Sequence, residues 1–216
     1  MNNLELINKA DSFVKELFKD ESSGHDYDHA LRVKEKALYI QRFEGGDSFI
    51  IALASLLHDA DDYKLFPNHL HHENALSFLR DNGISNDDIN KIITIIDELS
   101  FKGKDSKPCS TLEGKIVQDA DRLDAIGAIG IARTFAYGGK KGRKLYDFTE
   151  RPNNDMSYDE YKNRNSASLT HFYEKLLLLK DMMNTKTAKR MAIRRHKFML
   201  LYLKEFLDEL NLNEDE

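Results

Sequence analysis

One stretch constrains the fold more than any other. From Phe49 to Leu57 the chain reads Phe-Ile-Ile-Ala-Leu-Ala-Ser-Leu-Leu, apolar on nearly every side of a helix. A helix with no polar face has to be covered all round by other elements. This one then runs into His58-Asp59-Ala60-Asp61-Asp62. Polar groups at the tip of a buried helix need partners, because burying a charge without one is costly.

The rest of the chain supplies helices to cover it. Three prolines and little period-two alternation leave helical spacing dominant. Leu4, Ile7, Phe13, Val14, Leu17 and Phe18 mark a first amphipathic helix. A second spans about 26–43, with Ala30, Val33, Ala37 and Ile40 on one stripe and Gly45-Gly46 as its C-cap. The buried helix covers about 48–59. The segment 61–72 reads as a loop. Helices follow at about 73–82 and from Ser85 through Leu99, then a loop at 101–110. One long helix is expected over about 111–137, then a polar mobile loop over about 138–165. Two helices close the chain, at about 166–183 and 185–210. The expectation is an all-α bundle, one domain over 1–216 with a core of about 20–205.

Composition narrows the class. With 32 basic and 37 acidic residues the net charge is −5, which argues against a general nucleic-acid surface. The single Cys109 forms no intrachain disulfide and fits a reducing compartment. The N-terminus lacks the pattern of a signal peptide, and no apolar run reaches the ~20 residues that span a bilayer. A cytoplasmic protein is expected, with no membrane partner. A homodimer is compatible with the sequence, which does not specify the oligomeric state.

Six of the eight histidines fall within residues 25–72. Histidine with carboxylate suits borderline first-row divalent ions. His58 and Asp59, about 100° apart on a helix, converge on one ion only where the helix ends or distorts. His29 lies near the inner face of its helix, and His25 is one turn earlier. In Gln118-Asp119-Ala120-Asp121-Arg122-Leu123-Asp124, Asp119 and Asp121 face opposite ways, whereas Asp121 and Asp124 share a face. Helix phase leaves either of the last two as a ligand.

Joined in order, these pieces spell H…HD…D. The sequence resembles the HD-domain superfamily of metal-dependent phosphohydrolases, most closely its small single-domain bacterial members. The stretch His25 to Val33 is similar to their HD-x-x-H-x-x-R-V, and Gln118 to Phe135 to a second family stretch. The tail Met183-Asn184-Thr185 to Arg195-His196 is similar as well. The resemblance implies an HD-domain helical bundle and one divalent metal ion (Mn²⁺, Fe²⁺, Ni²⁺, Zn²⁺ or Mg²⁺) on His29, His58, Asp59 and Asp121. A similar Ala-Asp-Arg-Leu context in the alarmone hydrolases favours Asp121 over Asp124, which is left to support a ligand or to pack helices. Asp62, where relatives carry a catalytic acid, is the candidate to orient water or take a proton. Asp61 is assigned to solvent. His25, Lys64, Lys140 and Arg143 are candidates to bind phosphate, with Lys141 beside them. Because Ile92 to Phe101 holds no histidine, a second metal is not expected, and His69, His71 and His72 are read as substrate-side or surface residues. The implied activity is phosphohydrolysis of nucleotides, with nucleoside triphosphates split between the α and β phosphates. The alternatives are a nucleoside monophosphatase, a phosphodiesterase, or a non-catalytic metal-stabilised nucleotide sensor.

Overall fold

The structure, a computed structural model, describes residues 2–21, 26–62, 66, 68, 69 and 71–211. Among the described residues there are ten α-helices and no strand. Helix α1 (Asn3–Leu17) starts on a capping box in which Asn2 and Glu5 satisfy each other's backbone amides. Helix α2 (Tyr27–Glu44) starts on the Asp26 side chain, which accepts from the His29 amide, and stops at Gly45 with φ +86°. Helix α3 (Ser48–Leu57) is capped by Asp47 and buries every residue from Ile50 to Leu57. It packs against α1, α2, α5 (Asn86–Leu99) and α6 (Leu112–Asp124), so the apolar run is indeed the central post. Burying each large aliphatic side chain there contributes about 1.5–3 kcal/mol. No helix among the described residues is long and apolar enough to cross a membrane.

Helix α4 (Glu73–Asp81) begins without a cap from its own N-cap residue, His72, which sits in the left-handed region at φ +57°. Asp61 does that work from a distance. Its carboxylate accepts from the Asn74 amide at 2.9 Å and the Ala75 amide at 3.0 Å, and meets His69 Nδ1 at 2.7 Å. The assignment of Asp61 to solvent is therefore corrected, since helix amides left open by His72 draw the carboxylate inward.

The single helix expected over 111–137 is two. Helix α6 ends at Asp124, and α7 (Gly127–Lys140) starts after a turn at Ala125–Ile126. The break follows from Gly127, whose φ of +80° takes it out of the right-handed helix. The segment 138–165 holds the end of α7 and a short helix α8 (Tyr158–Asn163). It is tied to the body by backbone bonds from Ser168 to the Lys144 carbonyl and from Leu169 to the Leu145 carbonyl, both 2.9 Å. The helix expected over 166–183 is irregular: α9 (Ser168–His171), a π-helical turn at Phe172–Leu176, and a 3₁₀ turn at Leu179–Met182. Glu174 in the π turn is buried and bonded to Arg164 and Ser166. The last helix, α10 (Lys186–Asn211), runs as expected.

Candidate metal centre

Of the four residues singled out as ligands, His29, His58 and Asp121 form one cluster of donor atoms, and Asp59 lies beside its two histidines. His29 comes from the first turn of α2, His58 and Asp59 from the turn that ends α3, and Asp121 from the last turn of α6. The helix end solves the convergence of adjacent residues: the Ala60 amide bonds to the Leu57 carbonyl and the Asp62 amide to the Asp59 carbonyl, so the backbone tightens there. His29 Nε2 lies 3.2 Å from His58 Nε2, 3.5 Å from Asp59 Oδ2 and 3.5 Å from Asp121 Oδ1. His58 Nε2 lies 3.4 Å from Asp59 Oδ2. Donors about 2.1 Å from a shared ion stand about 3.0 Å apart at right angles and about 3.4 Å apart at tetrahedral angles, so this spacing fits one ion.

The far side of each imidazole fixes its tautomer. His58 Nδ1 faces the Ser55 carbonyl at 2.8 Å, and His29 Nδ1 faces the Asp124 carboxylate at 2.8 Å. Only an N–H satisfies either acceptor. Both Nε2 lone pairs are thus turned toward each other across 3.2 Å, with two carboxylate oxygens beside them. That cluster of acceptors calls for a cation. Burial, with the charge of Arg133 next, pushes the His29 pKa down to about 4, which keeps the ring neutral. For His58 burial also favours the neutral ring, but Asp59 and Asp121 outweigh it and raise the pKa.

Asp124 is wholly buried and takes more than the histidine. Arg32 donates Nε to Oδ1 at 2.9 Å and Nη2 to Oδ2 at 3.0 Å; Lys36 donates to Oδ1 at 2.7 Å; Arg133 donates Nη1 to Oδ2 at 2.9 Å. Burial alone would raise its pKa, but His29, Arg32 and Arg133 hold the carboxyl well below the usual carboxylate range. Asp121 and Asp124 do share a face of α6, and they grip His29 from its two nitrogens. Asp119 faces the other way, as its phase requires, and accepts from the amides of Asn184 and Thr185, both at 2.7 Å. Arg122, between Asp121 and Asp124 in sequence, is buried and donates to the Met182 carbonyl.

Of the other candidates, Asp62 sits partly buried in the turn that presents Asp59. Lys140 pairs with Glu21 at 2.6 Å, and Arg143 donates to the Arg164 carbonyl at 3.2 Å and lies over the Tyr137 ring. His25 and Lys64 lie outside the described residues. His72 pairs with Asp97 on α5 at 2.8 Å. Sequence reasoning missed Arg32, Lys36 and Arg133. The first two follow His29 by three and seven positions, one stripe of α2, and that spacing was the available signal.

The comparisons with known proteins identify the family. The family profile for the HD domain matches residues 26–126. The uncharacterised protein YpgQ of Bacillus subtilis is 41% identical over 211 residues, 95% of this chain and 94% of its own. A solved protein of Lactobacillus plantarum superposes with a TM-score of 0.88 at 34% identity, covering 98% of this chain and 100% of that one. An HD-superfamily hydrolase of Bacillus thuringiensis gives 0.73 at 41% identity, covering 97% and 99%. YpgQ itself has been solved in complex with ADP; that structure gives 0.74 at 39% identity over 94% and 96%. This chain belongs to the HD-domain superfamily.

Proposed function

We propose that this protein is a divalent-metal-dependent phosphohydrolase acting on nucleotides, with one metal ion on His29, His58, Asp59 and Asp121 and with nucleoside triphosphates split between the α and β phosphates. The observation that carries the reading is the pair of Nε2 atoms facing each other at 3.2 Å, each ring locked from behind, with Asp59 and Asp121 beside them. The complex of the relative YpgQ with ADP supports a nucleotide as the substrate class. Two histidines and two carboxylates leave positions open for water and for a phosphate oxygen. A bound ion supplies Lewis acidity and a lowered water pKa.

The chain's own residues do the rest. Asp124 orients His29, and the Ser55 carbonyl orients His58. Asp121, with its side chain 33% exposed, faces the open side, whereas Asp59, at 12%, closes the inner one. Asp62, in the turn after Asp59, is the candidate to accept the proton that water gives up on attack. His25, Lys64, Lys140 and Arg143 are the further candidates for phosphate contact.

The test is a nucleotide panel with Mn²⁺ and identification of the products. Pyrophosphate and a nucleoside monophosphate are expected from triphosphates, with loss of at least about 10²-fold in rate for Asp59→Ala, whose carboxylate the ion needs. Orthophosphate released from monophosphates alone would move the assignment to a monophosphatase. Tight nucleotide binding without turnover under any divalent ion would make the protein a sensor.

A further inference from the structure

The outer face of α10 stands open to solvent. Leu201 is 61% exposed and Phe198 46%, on a helix whose other face, at Ala192, Met199 and Leu203, belongs to the core. The apolar surface continues sideways through ring contacts: Tyr202 to Phe206 at 5.9 Å, Phe206 to Tyr146 at 6.2 Å, and Tyr146 to Phe148 at 4.9 Å. Exposed apolar surface rimmed by charge marks a place where another molecule sits.

The charges on the same helix point to which molecule. From 186 to 197 α10 carries six Lys and Arg and no acid; from 204 to 211 it carries one Lys and three acids. That order opposes the helix dipole, which favours acids at the start and bases at the end. Part of the charge is answered within the chain. Glu44 reaches the first turn, where it accepts from the Thr187 amide at 2.7 Å, Arg195 donates to the Leu123 carbonyl, and Lys204 pairs with Asp208. Among the described residues Arg194, Lys197 and Glu205 enter no ion pair. A helix with a basic first half and an acidic second half is complementary to a copy of itself run the opposite way.

Spacing sets the register. Arg194, Leu201 and Asp208 recur every seven residues, so they form one stripe about 21 Å long. A two-fold axis through Leu201 pairs residues that lie equally far before and after it. Leu201 then meets its own copy, Arg194 meets Asp208, Lys197 meets Glu205, and the Phe198 ring lies on the aliphatic stem of Lys204. Each unlike contact occurs twice by symmetry. A parallel pair would instead set Arg194 on Arg194 and Asp208 on Asp208.

We infer that this protein forms a two-fold homodimer through antiparallel pairing of α10 about Leu201. The pairing uses none of the proposed metal ligands, which come from α2, the end of α3 and α6.

Sedimentation equilibrium of the full chain tests it. Wild-type protein is expected to show a monomer–dimer equilibrium. Leu201→Glu, which sets two carboxylates against each other at the axis, is expected to weaken the dimer at least about tenfold. Lys197→Glu and Glu205→Lys are each expected to weaken it about tenfold, because each brings like charges together twice. An equimolar mixture of these two variants is expected to recover the dimer, since both contacts in the mixed pair join opposite charges again; a variant that merely misfolds gives no such recovery. A wild type that stays monomeric at every concentration overturns the inference. So does a dimer that Leu201→Glu leaves intact, which would place the interface on another face. Monomers that bind vesicles of anionic phospholipid through Leu201 would assign the face to a lipid surface and overturn it as well.

Discussion

Asp124 holds together four side chains from α2 and α7, and its negative charge is what lets Arg32, Lys36 and Arg133 lie beside a cation site. Asp124→Asn keeps the size and removes the charge. The variant is expected to lose about 3–5 kcal/mol of stability, because buried cations lose their partner. It is also expected to bind Mn²⁺ about 10–100-fold more weakly, because His29 loses the acceptor that sets its tautomer. Urea denaturation and metal titration measure the two effects; a variant as stable as wild type would show that the cations find other partners. At this scale the sequence was informative about ligand types and vague about their supports. Two carboxylates three apart on α6 pointed to one shared face. Which of them met the metal side of His29 depended on the ring's rotation, and that is a tertiary fact. Asp61 and Asp119 were harder still, since each serves backbone amides far along the chain.

Among the elements, helices with a clean apolar stripe were readable: α2, α3 and α5 lie where their spacing put them. The misses fall at glycines and at irregular turns. Gly127 and Gly130 sit inside an otherwise periodic stretch, and the period alone hides the break at Ala125–Ile126. Gly127 and Gly139 on α7 should respond to alanine with opposite signs. At Gly127 the left-handed φ and a Cβ only 3.0 Å from Arg195 Cγ make Gly127→Ala destabilising by about 1–2 kcal/mol. At Gly139 no atom lies within 4 Å of an added Cβ, so Gly139→Ala is expected to stabilise by about 0.5–1 kcal/mol. Thermal melts of the two variants decide it, and a loss at both would place the sensitivity in the whole of α7. The irregular run from α9 through Leu179–Met182 had no signal in apolar spacing. It follows instead from Glu174, which turns inward to Arg164 and Ser166.

For the whole molecule, the four proposed ligands are drawn from α2, the end of α3 and α6, so ion binding there would be a property of the folded bundle. Mn²⁺ is therefore expected to stabilise the protein by mass action, by about 2.7 kcal/mol at a free concentration one hundred times the dissociation constant. Asp59→Ala should abolish that gain, and a melting temperature indifferent to Mn²⁺, Fe²⁺ and Ni²⁺ alike would remove the metal centre. The cluster of acceptors also explains why the all-α class was plain from sequence while the site's inner wiring was not: the greasy post is written in nine consecutive residues, and its surroundings come from everywhere else.

The clasp at Asp119 carries this further. All four candidate ligands precede residue 122, yet α6 is seated by the amides of Asn184 and Thr185, more than sixty positions later. Leu123 and Met182 add two more ties, through Arg195 and Arg122. A chain emerging from the ribosome thus exposes every ligand long before it can hold them in place. The centre becomes complete only when the last helix docks, so a nascent or clipped chain ending before Asn184 carries the right residues without the frame that aims them.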